Sequence, residues 1–272
     1  MSTKIHIIII GKMATFSEMV YAIRDCLLNH GYDVEINNYM PKKDLGGKLS
    51  HIIYDCKESE IIKYGKINIF IRGHRVIPDS NCTNILIQTE QNLTYCGDKN
   101  IWTKILEPYP EMVDENSEYF PLGYSKYFDT MIEMEEKQNF FTFGVKTDRR
   151  KKLCRNFNIP IEYKWGDSRD KLIMDTRINV VFNAYKNYIF PITHGLLIMC
   201  KGKILLQEEC NGGYGIYKKY PISFNEKNFK EVSRKWLEDD ERRKEYGMKV
   251  RKELMENHRF EDNFAKAMKN II

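Results

Sequence analysis

The feature that most constrains this chain is a run of β-branched residues near its amino terminus, followed by a glycine and a helical pattern. Lys4 to Ile10 form an apolar segment of the kind that is buried on both faces of a parallel sheet. Gly11 interrupts it, a helix starting at Thr15 or Ser17 is expected to run to about Asn29, and Tyr32 to Ile36 form the next strand. Because β-α-β crossovers join parallel strands, this opening predicts an α/β fold. The buried face of the helix should comprise Met19, Ala22, Ile23, Cys26 and Leu27.

The same alternation continues through the first half of the chain. Strands are predicted at Ile52–Tyr54, Ile67–Ile71 and Asn84–Gln88, with a short helix from about Glu58 to Lys63 and an extended piece from Glu118 to Tyr124. The polar, acidic and helix-prone stretch from Met131 to Gln138 is the expected linker.

A second series of strands and helices follows this linker. Strands are predicted at Phe140–Phe143, Ile161–Trp165, Asn179–Asn183 and Lys203–Leu206, and helices from Asp148, at Ile192–Met199, at Glu226–Asn257 and from Arg259 onward. Two β/α halves predict an α/β chain of two Rossmann-like domains facing a cleft. The expected domains are residues 1–135 together with a C-terminal helix, 259–272, and residues 136–258.

Composition limits the classes of protein to which the chain could belong. Hydrophobic residues make up 42% of the 272 residues, enough to bury a core, and no apolar run approaches the roughly 20 residues that span a bilayer. The amino terminus lacks the features of a signal peptide, so a cytoplasmic protein without a membrane span is expected. Seven scattered cysteines without Cys-x-x-Cys spacing indicate reduced thiols, with no zinc site. A net charge of +5 permits an anionic ligand.

Two candidate residues follow strands of the first half. Gly11 is either a tight strand-to-helix turn or a piece of backbone that lines the cleft, and its surroundings match neither a dinucleotide fingerprint nor a phosphate-binding P-loop. Glu90 is the only carboxylate near the end of the strand at Asn84–Gln88. It is either a general base that accepts the proton of an attacking hydroxyl or a loop and capping carboxylate.

A basic cluster follows the first strand of the second half. Lys146, Arg149 and Arg150 come after Gly144, where a helix amino terminus begins. Backbone N–H groups, the helix dipole and arginine forks together suit phosphate oxygens. The alternative is a solvated basic helix face.

Four further candidates lie near later strands and helices. Asn183 ends a strand and either binds a ligand or forms a turn, and Glu208 or Glu209 could accept hydrogen bonds from a ribose. His194 is a lone histidine on an otherwise apolar helix, either a packed or capping side chain or a site residue.

The order of these pieces resembles that of glycosyltransferases of the two-domain GT-B type, including bacterial and viral members and, distantly, phage DNA glucosyltransferases. The resemblance is carried by Asn84–Gln91, Tyr119–Tyr124, Phe141–Gly144 with Arg149 and Arg150, and Ile178–Asn183 continuing through Thr193 to Leu206–Glu209. The terminal helix suits the family habit of crossing back to the first domain. The helix at Thr193–Cys200 departs from the family pattern, because it lacks the arginine and glutamate that usually bind the diphosphate and ribose.

The resemblance implies a metal-independent glycosyltransferase without a cofactor. Glu90 falls at the position of the catalytic base, and Lys146, Arg149 and Arg150 fall near the diphosphate. Asn183 and Glu208 or Glu209 would line the nucleotide side, with His194 standing in for the missing arginine. The expected donor is a UDP-sugar, and the acceptor is a glycan, a glycoprotein or a modified DNA base, in the cytoplasm or in a host cytoplasm if the source is viral. The alternative is a catalytically weakened protein that binds a nucleotide or nucleotide sugar.

Overall fold

A computed structural model of the chain describes residues 2–10, 17–39, 60–62, 64–71, 76–89, 99–185, 189–269 and 271. The chain divides into two compact units: unit 1 is Met1–Phe120 with Phe264–Ile272, and unit 2 is Pro121–Asn263. The division therefore falls after Phe120, ahead of the acidic stretch that the sequence suggests as a linker. No helix in the described ranges is long and apolar enough to cross a membrane.

Unit 1 is built on a six-stranded parallel sheet. Its elements are β1 (Lys4–Ile10), α1 (Ser17–Asn29), β2 (Asp33–Tyr39), β3 (Glu60–Ile62), β4 (Ile67–Ile71), β5 (Val76–Pro78), β6 (Thr83–Ile87), β7 (Lys104–Glu107) and β8 (Ser117–Tyr119). The sheet order is β2-β1-β4-β6-β7-β8, and every pair is parallel, while β3 and β5 pair separately. One face of the sheet packs around Phe70 and Trp102, whose rings meet edge to face at 5.1 Å.

Unit 2 contains a five-stranded parallel sheet and most of the helices. Its elements are β9 (Gln138–Phe143), α2 (Asp148–Phe157), β10 (Ile161–Glu162), α3 (Gly166–Met174), β11 (Thr176–Val181), α4 (Ile192–Met199), β12 (Leu205–Glu208), β13 (Ile222–Phe224), α5 (Phe229–Leu237) and α6 (Asp240–Asn257). The last helix, α7 (Phe260–Met268), begins in unit 2 and ends in unit 1. The order β10-β9-β11-β12-β13 places the first strand between the second and the third, as in one common doubly wound topology. Phe182, Phe224 and Phe229 lie at the centre of its core.

The structure confirms the expectation of an α/β chain with two parallel sheets. The strand at Ile67–Ile71 and the helix at Ile192–Met199 have the predicted bounds, and the face of α1 that is buried includes the five predicted residues. The strand predicted at Ile52–Tyr54 lies outside the described residues.

Two predictions of secondary structure are wrong. Residues 60–62, in the middle of the short helix expected from about Glu58 to Lys63, pair instead as strand β3 with β5. The helix-prone stretch expected as the linker contains no helix from Met131 to Lys137, and β9 begins directly after it. The single helix expected at Glu226–Asn257 is two, since the Asp239 side chain accepts a hydrogen bond from the backbone N–H of Arg242 at 2.9 Å and caps a new helix.

Candidate functional site

The candidate site lies at the carboxyl edge of the unit 2 sheet, where β9, β11 and β12 end. From β9 the chain passes through α2 to β10 on one side and then through α3 to β11 on the other side. The crevice at such a switch point is where open parallel sheets bind ligands. The segments that follow β9 and β11 border this point, and both contain residues that the sequence singles out.

The first turn of α2 begins at this edge and is held by Thr147. The Thr147 hydroxyl accepts a hydrogen bond from the backbone N–H of Arg150 at 3.3 Å and donates to the carbonyl of Ala184 at 3.1 Å. A threonine cap is expected at a helix amino terminus, because it satisfies one of the N–H groups that have no partner within the helix. Here it also ties the start of α2 to the segment after β11.

Arg149, Glu208 and Asn183 form the centre of the site. Arg149 donates through Nη1 to Glu208 Oε2 at 2.8 Å and to the Asn183 carbonyl at 2.8 Å, and through Nη2 to Glu208 Oε1. Glu208 Oε2 also accepts the backbone N–H of Asn183 at 2.8 Å. The hydrogen bond to Glu208 raises the pKa of Arg149, so the guanidinium stays charged. The structure thus brings together three predicted site residues around a partly buried, two-point ion pair.

The Asn183 side chain joins the ends of β11 and β12. Its Nδ2 donates to the Glu209 carbonyl at 2.8 Å, and its Oδ1 accepts from Gln207 Nε2 at 3.0 Å and from the Cys210 thiol at 3.2 Å. Burial raises the pKa of Cys210 to about 11, so the thiol is protonated and can donate. Gln207 and Cys210 were not predicted as site residues, although both flank Glu208 and Glu209 in the sequence.

Arg150 is buried beneath the loop that follows β9. Its Nε donates to the Phe182 carbonyl at 2.7 Å, and its Nη1 donates to the Val145 carbonyl at 3.2 Å. Gly144 has a φ of +115°, and a Cβ at that position would lie 2.9 Å from Arg150 Nη1 and 3.0 Å from His194 Nε2. Glycine is therefore required here for both backbone conformation and space.

His194 reaches this edge from the amino-terminal turn of α4. Its ring stacks on Phe143 with centroids 4.9 Å apart. Burial, together with the positive charges of Arg150 and Arg169, lowers the pKa of His194 to about 3. The imidazole is therefore neutral at physiological pH and can donate or accept a hydrogen bond without adding charge.

Lys146 and Glu209 lie at the exposed rim of the same edge. Lys146 is 4.0 Å from Glu162, and both side chains are more than 40% exposed, so the pair is loose. The Glu209 carboxylate accepts a hydrogen bond from Asn225 Nδ2 at 3.2 Å and does not join the ion pair of its neighbour Glu208. Lys146 is thus the predicted cation that remains most accessible to a ligand.

Two predicted residues, Gly11 and Glu90, lie outside the described residues. At the carboxyl edge of the unit 1 sheet the structure instead describes Glu107, a residue that was not singled out from the sequence. It is 1% exposed, accepts the backbone N–H of Tyr109 at 3.2 Å, and has its pKa raised to about 7 by burial. Glu107 is a carboxylate at the end of an apolar strand, and Glu90 was selected by the same sequence pattern. This pattern could therefore have identified Glu107 as well.

Across the ranges that the structure covers, no three His, Cys, Asp or Glu side chains gather in a group that could hold a metal ion. The side chains at the unit 2 edge are suited to an uncharged or anionic ligand, since they combine hydrogen-bonding amides, a neutral imidazole and an exposed lysine. No protein-family model matches the chain, and no curated protein matches it.

Proposed function

We propose that this chain is a glycosyltransferase that transfers a sugar from a UDP-sugar to a hydroxyl acceptor, and that unit 2 binds the donor. The observation that carries the proposal is the ion pair of Arg149 and Glu208, joined by Asn183, at the switch point of a parallel sheet. Doubly wound sheets bind nucleotides at this position. The parallel sheet of unit 1 and the return of the last residues to unit 1 agree with the two-domain family that the sequence resembles.

Within this proposal the diphosphate lies against the loop after β9. Free N–H groups at the start of α2 and the ammonium group of Lys146 stabilise its negative charge. Arg149 and Arg150 act as positioning residues, because their guanidinium groups already donate to Glu208 and to backbone carbonyls. His194, neutral and close to Gly144, donates to or accepts from the ligand.

The chemistry requires a base for the acceptor hydroxyl. The base removes the proton as the hydroxyl oxygen attacks the anomeric carbon, and the bond from that carbon to the diphosphate oxygen breaks. Glu90 is proposed as this base, and the diphosphate leaves as an anion that the α2 amino terminus stabilises. The acceptor is a glycan, a glycoprotein or a modified DNA base.

The proposal is tested by incubating the protein with a set of UDP-sugars and each acceptor class, and by measuring release of UDP. Donor binding is measured separately by thermal shift, since a ligand at 100 times its Kd stabilises a protein by about 2.7 kcal/mol. Lys146→Gln should weaken donor binding. Lys151→Gln is the matched control, because it removes the same charge from the exposed face of α2. Absence of both UDP release and donor binding would refute the proposal.

A second candidate function is binding of a nucleotide or nucleotide sugar without transfer. It is favoured by the engagement of Arg149, Arg150 and Glu208 with protein atoms and by the absence of arginine and glutamate from α4. This candidate predicts a thermal shift with UDP-sugars but no UDP release with any acceptor class. Transfer that is abolished by Glu90→Gln while donor binding persists would exclude it.

A further inference from the structure

Unit 2 contains a separate cavity at the opposite edge of its sheet, where β11 and β12 begin. Its volume is about 470 Å³, and its walls come from the segment before β9, the residues just before β12 and the first turns of α6. Arg177 near the start of β11 lines it, whereas Asn183 of the candidate site follows the end of the same strand. A six-residue strand is about 20 Å long, so the two sites are distinct.

Part of the charge around this cavity is neutralised by the protein itself. Glu136 accepts a hydrogen bond from Arg243 Nη2 at 2.7 Å and another from Lys203 Nζ. Arg243 Nη1 donates to Asp240 at 2.6 Å, and Lys203 also donates to the Met174 carbonyl at 3.1 Å. Both of these carboxylates are therefore paired. The third carboxylate on the wall, Glu135, is exposed, and five basic side chains line the cavity against three acidic ones.

Two cationic side chains on the cavity wall remain available to a ligand. Arg177 and Lys244 line the cavity, and neither side chain forms an ion pair or a hydrogen bond within the described part of the chain. Arg243 is only 2% exposed, and its Nε is buried without a hydrogen-bond partner, so its charge adds to the positive potential from below the wall.

The positive excess also acts on the pKa values of neighbouring groups. The hydrogen bond from Arg243 lowers the pKa of Asp240, and the charges of Arg177 and Lys244 lower it further. Burial lowers the pKa of Lys203, and the charges of Arg243 and Lys244 act in the same direction. The cavity is therefore a region of positive potential that would attract an anion.

The apolar part of the cavity wall is formed largely by methionine side chains. Met131, Met134, Met174 and Met248 line it, and three of them are at least 36% exposed. Methionine is flexible and polarisable, so such a wall adapts to apolar groups of varied shape. A ligand that fills this space needs an apolar body beside its charged group.

We propose that this cavity binds a small molecule that carries an oxyanion group, phosphate or carboxylate, on a short apolar body. The oxyanion contacts Arg177 and Lys244, and the apolar body lies against the methionines. The site is independent of donor binding at the other edge of the sheet.

Calorimetric titration of the full chain tests this proposal with three probes of equal chain length: hexyl phosphate, hexanoate and hexanol. We expect saturable binding of one or both anions, no saturable binding of hexanol, and about tenfold weaker anion binding, about 1.4 kcal/mol, in Lys244→Gln. Lys252→Gln, which removes an exposed charge further along α6, is the control and should leave binding unchanged.

Arg177→Gln should weaken anion binding to a similar degree. If that variant does not fold, Lys244→Gln decides the matter, since its side chain is exposed on a helix. Absence of saturable binding by either anion, equal binding of hexanol, or equal weakening by Lys252→Gln would overturn the proposal. Because none of these probes is a nucleotide, failure here is distinguishable from failure of UDP-sugar binding.

Discussion

Arg149 in the first turn of α2 and Glu208 at the end of β12 form a two-point ion pair although 59 residues separate them in the chain. The Glu208 side chain is 9% exposed and that of Arg149 is 25% exposed, so the pair is mostly shielded from water. The same carboxylate accepts the backbone N–H of Asn183. The Glu208 side chain thus joins the end of β12 to the segments that follow β9 and β11.

Replacing Glu208 by glutamine should therefore destabilise unit 2. The variant keeps an acceptor for the Asn183 N–H but removes the shielded counter-charge of Arg149, so that only the exposed Glu226 carboxylate remains near the guanidinium, at 3.9 Å. We expect a loss of about 1–3 kcal/mol in the free energy of unfolding. Urea denaturation measures it. Glu209→Gln is the matched control, since that carboxylate is exposed, and it should change stability by less than about 0.5 kcal/mol. Equal losses in the two variants would contradict the role assigned to the ion pair.

Gly144→Ala should disrupt the loop above Arg150. The new methyl group would meet both Arg150 Nη1 and His194 Nε2 at about 3 Å, in a backbone conformation with φ of +115°. We expect a loss of about 2–4 kcal/mol, because contact strain adds to backbone strain. Gly166→Ala is the control: its φ is +54° and nothing lies within 4 Å, so only about 1 kcal/mol should be lost. A smaller loss at Gly144 than at Gly166 would argue against close packing of the loop.

His194 should make the protein less stable as the pH falls below neutral. The pKa is about 3 in the folded chain against 6.5 as its ordinary value, so between these values the unfolded chain binds a proton that the folded chain does not. The contribution of neutral His194 to the free energy of unfolding is fully present above about pH 6.5. Below that pH it decreases by at most about 1.4 kcal/mol per pH unit. His194→Gln should remove this component in urea titrations from roughly pH 7 to pH 4. Parallel pH profiles of variant and parent would refute the assignment.

Glu107 should make the protein less stable as the pH rises from about 4.5 to 7, which is the opposite of the effect of His194. Burial raises its pKa to about 7, so the folded chain binds a proton that the unfolded chain releases, and stability decreases as the pH rises through this window. Glu107→Gln keeps an acceptor for the Tyr109 N–H and should gain stability relative to the parent by at most about 1.4 kcal/mol per pH unit. Glu118→Gln, at a half-exposed pair with Lys104, is the control and should show no gain in this window.

Segments with a strong local period could be predicted from the sequence alone. The β-branched runs of β1 and β4 and the apolar face of α1 are examples, because their burial depends on one repeating pattern. Strands β7 and β13 were missed, since each is only three or four residues long and is stabilised by its neighbours in the sheet. Helix α3 was missed because its buried face contains Arg169 and Asp170, an ion pair that interrupts the apolar pattern.

The residues of the candidate site could also be predicted from the sequence only in part. Polar residues at strand ends identified Arg149, Asn183 and Glu208, because carboxyl ends of parallel strands meet at one edge. The sequence could not indicate that Arg149 would pair with Glu208, since this contact depends on β11 lying between β9 and β12. Arg150 donates to backbone carbonyls. Every residue has such a carbonyl, so no side chain in the sequence indicates where Arg150 will bind.

The contact between Phe120 and Phe264 has a consequence for how the chain is assembled during synthesis. The two rings, 6.0 Å apart, belong to unit 1 and mark the points at which the chain leaves that unit and returns to it. All of unit 2 is therefore translated before unit 1 receives its final segment. The ribosome therefore carries a first unit that lacks its last segment until residue 263 has been translated, and chains released before residue 264 lack the Phe264 ring that packs against Phe120.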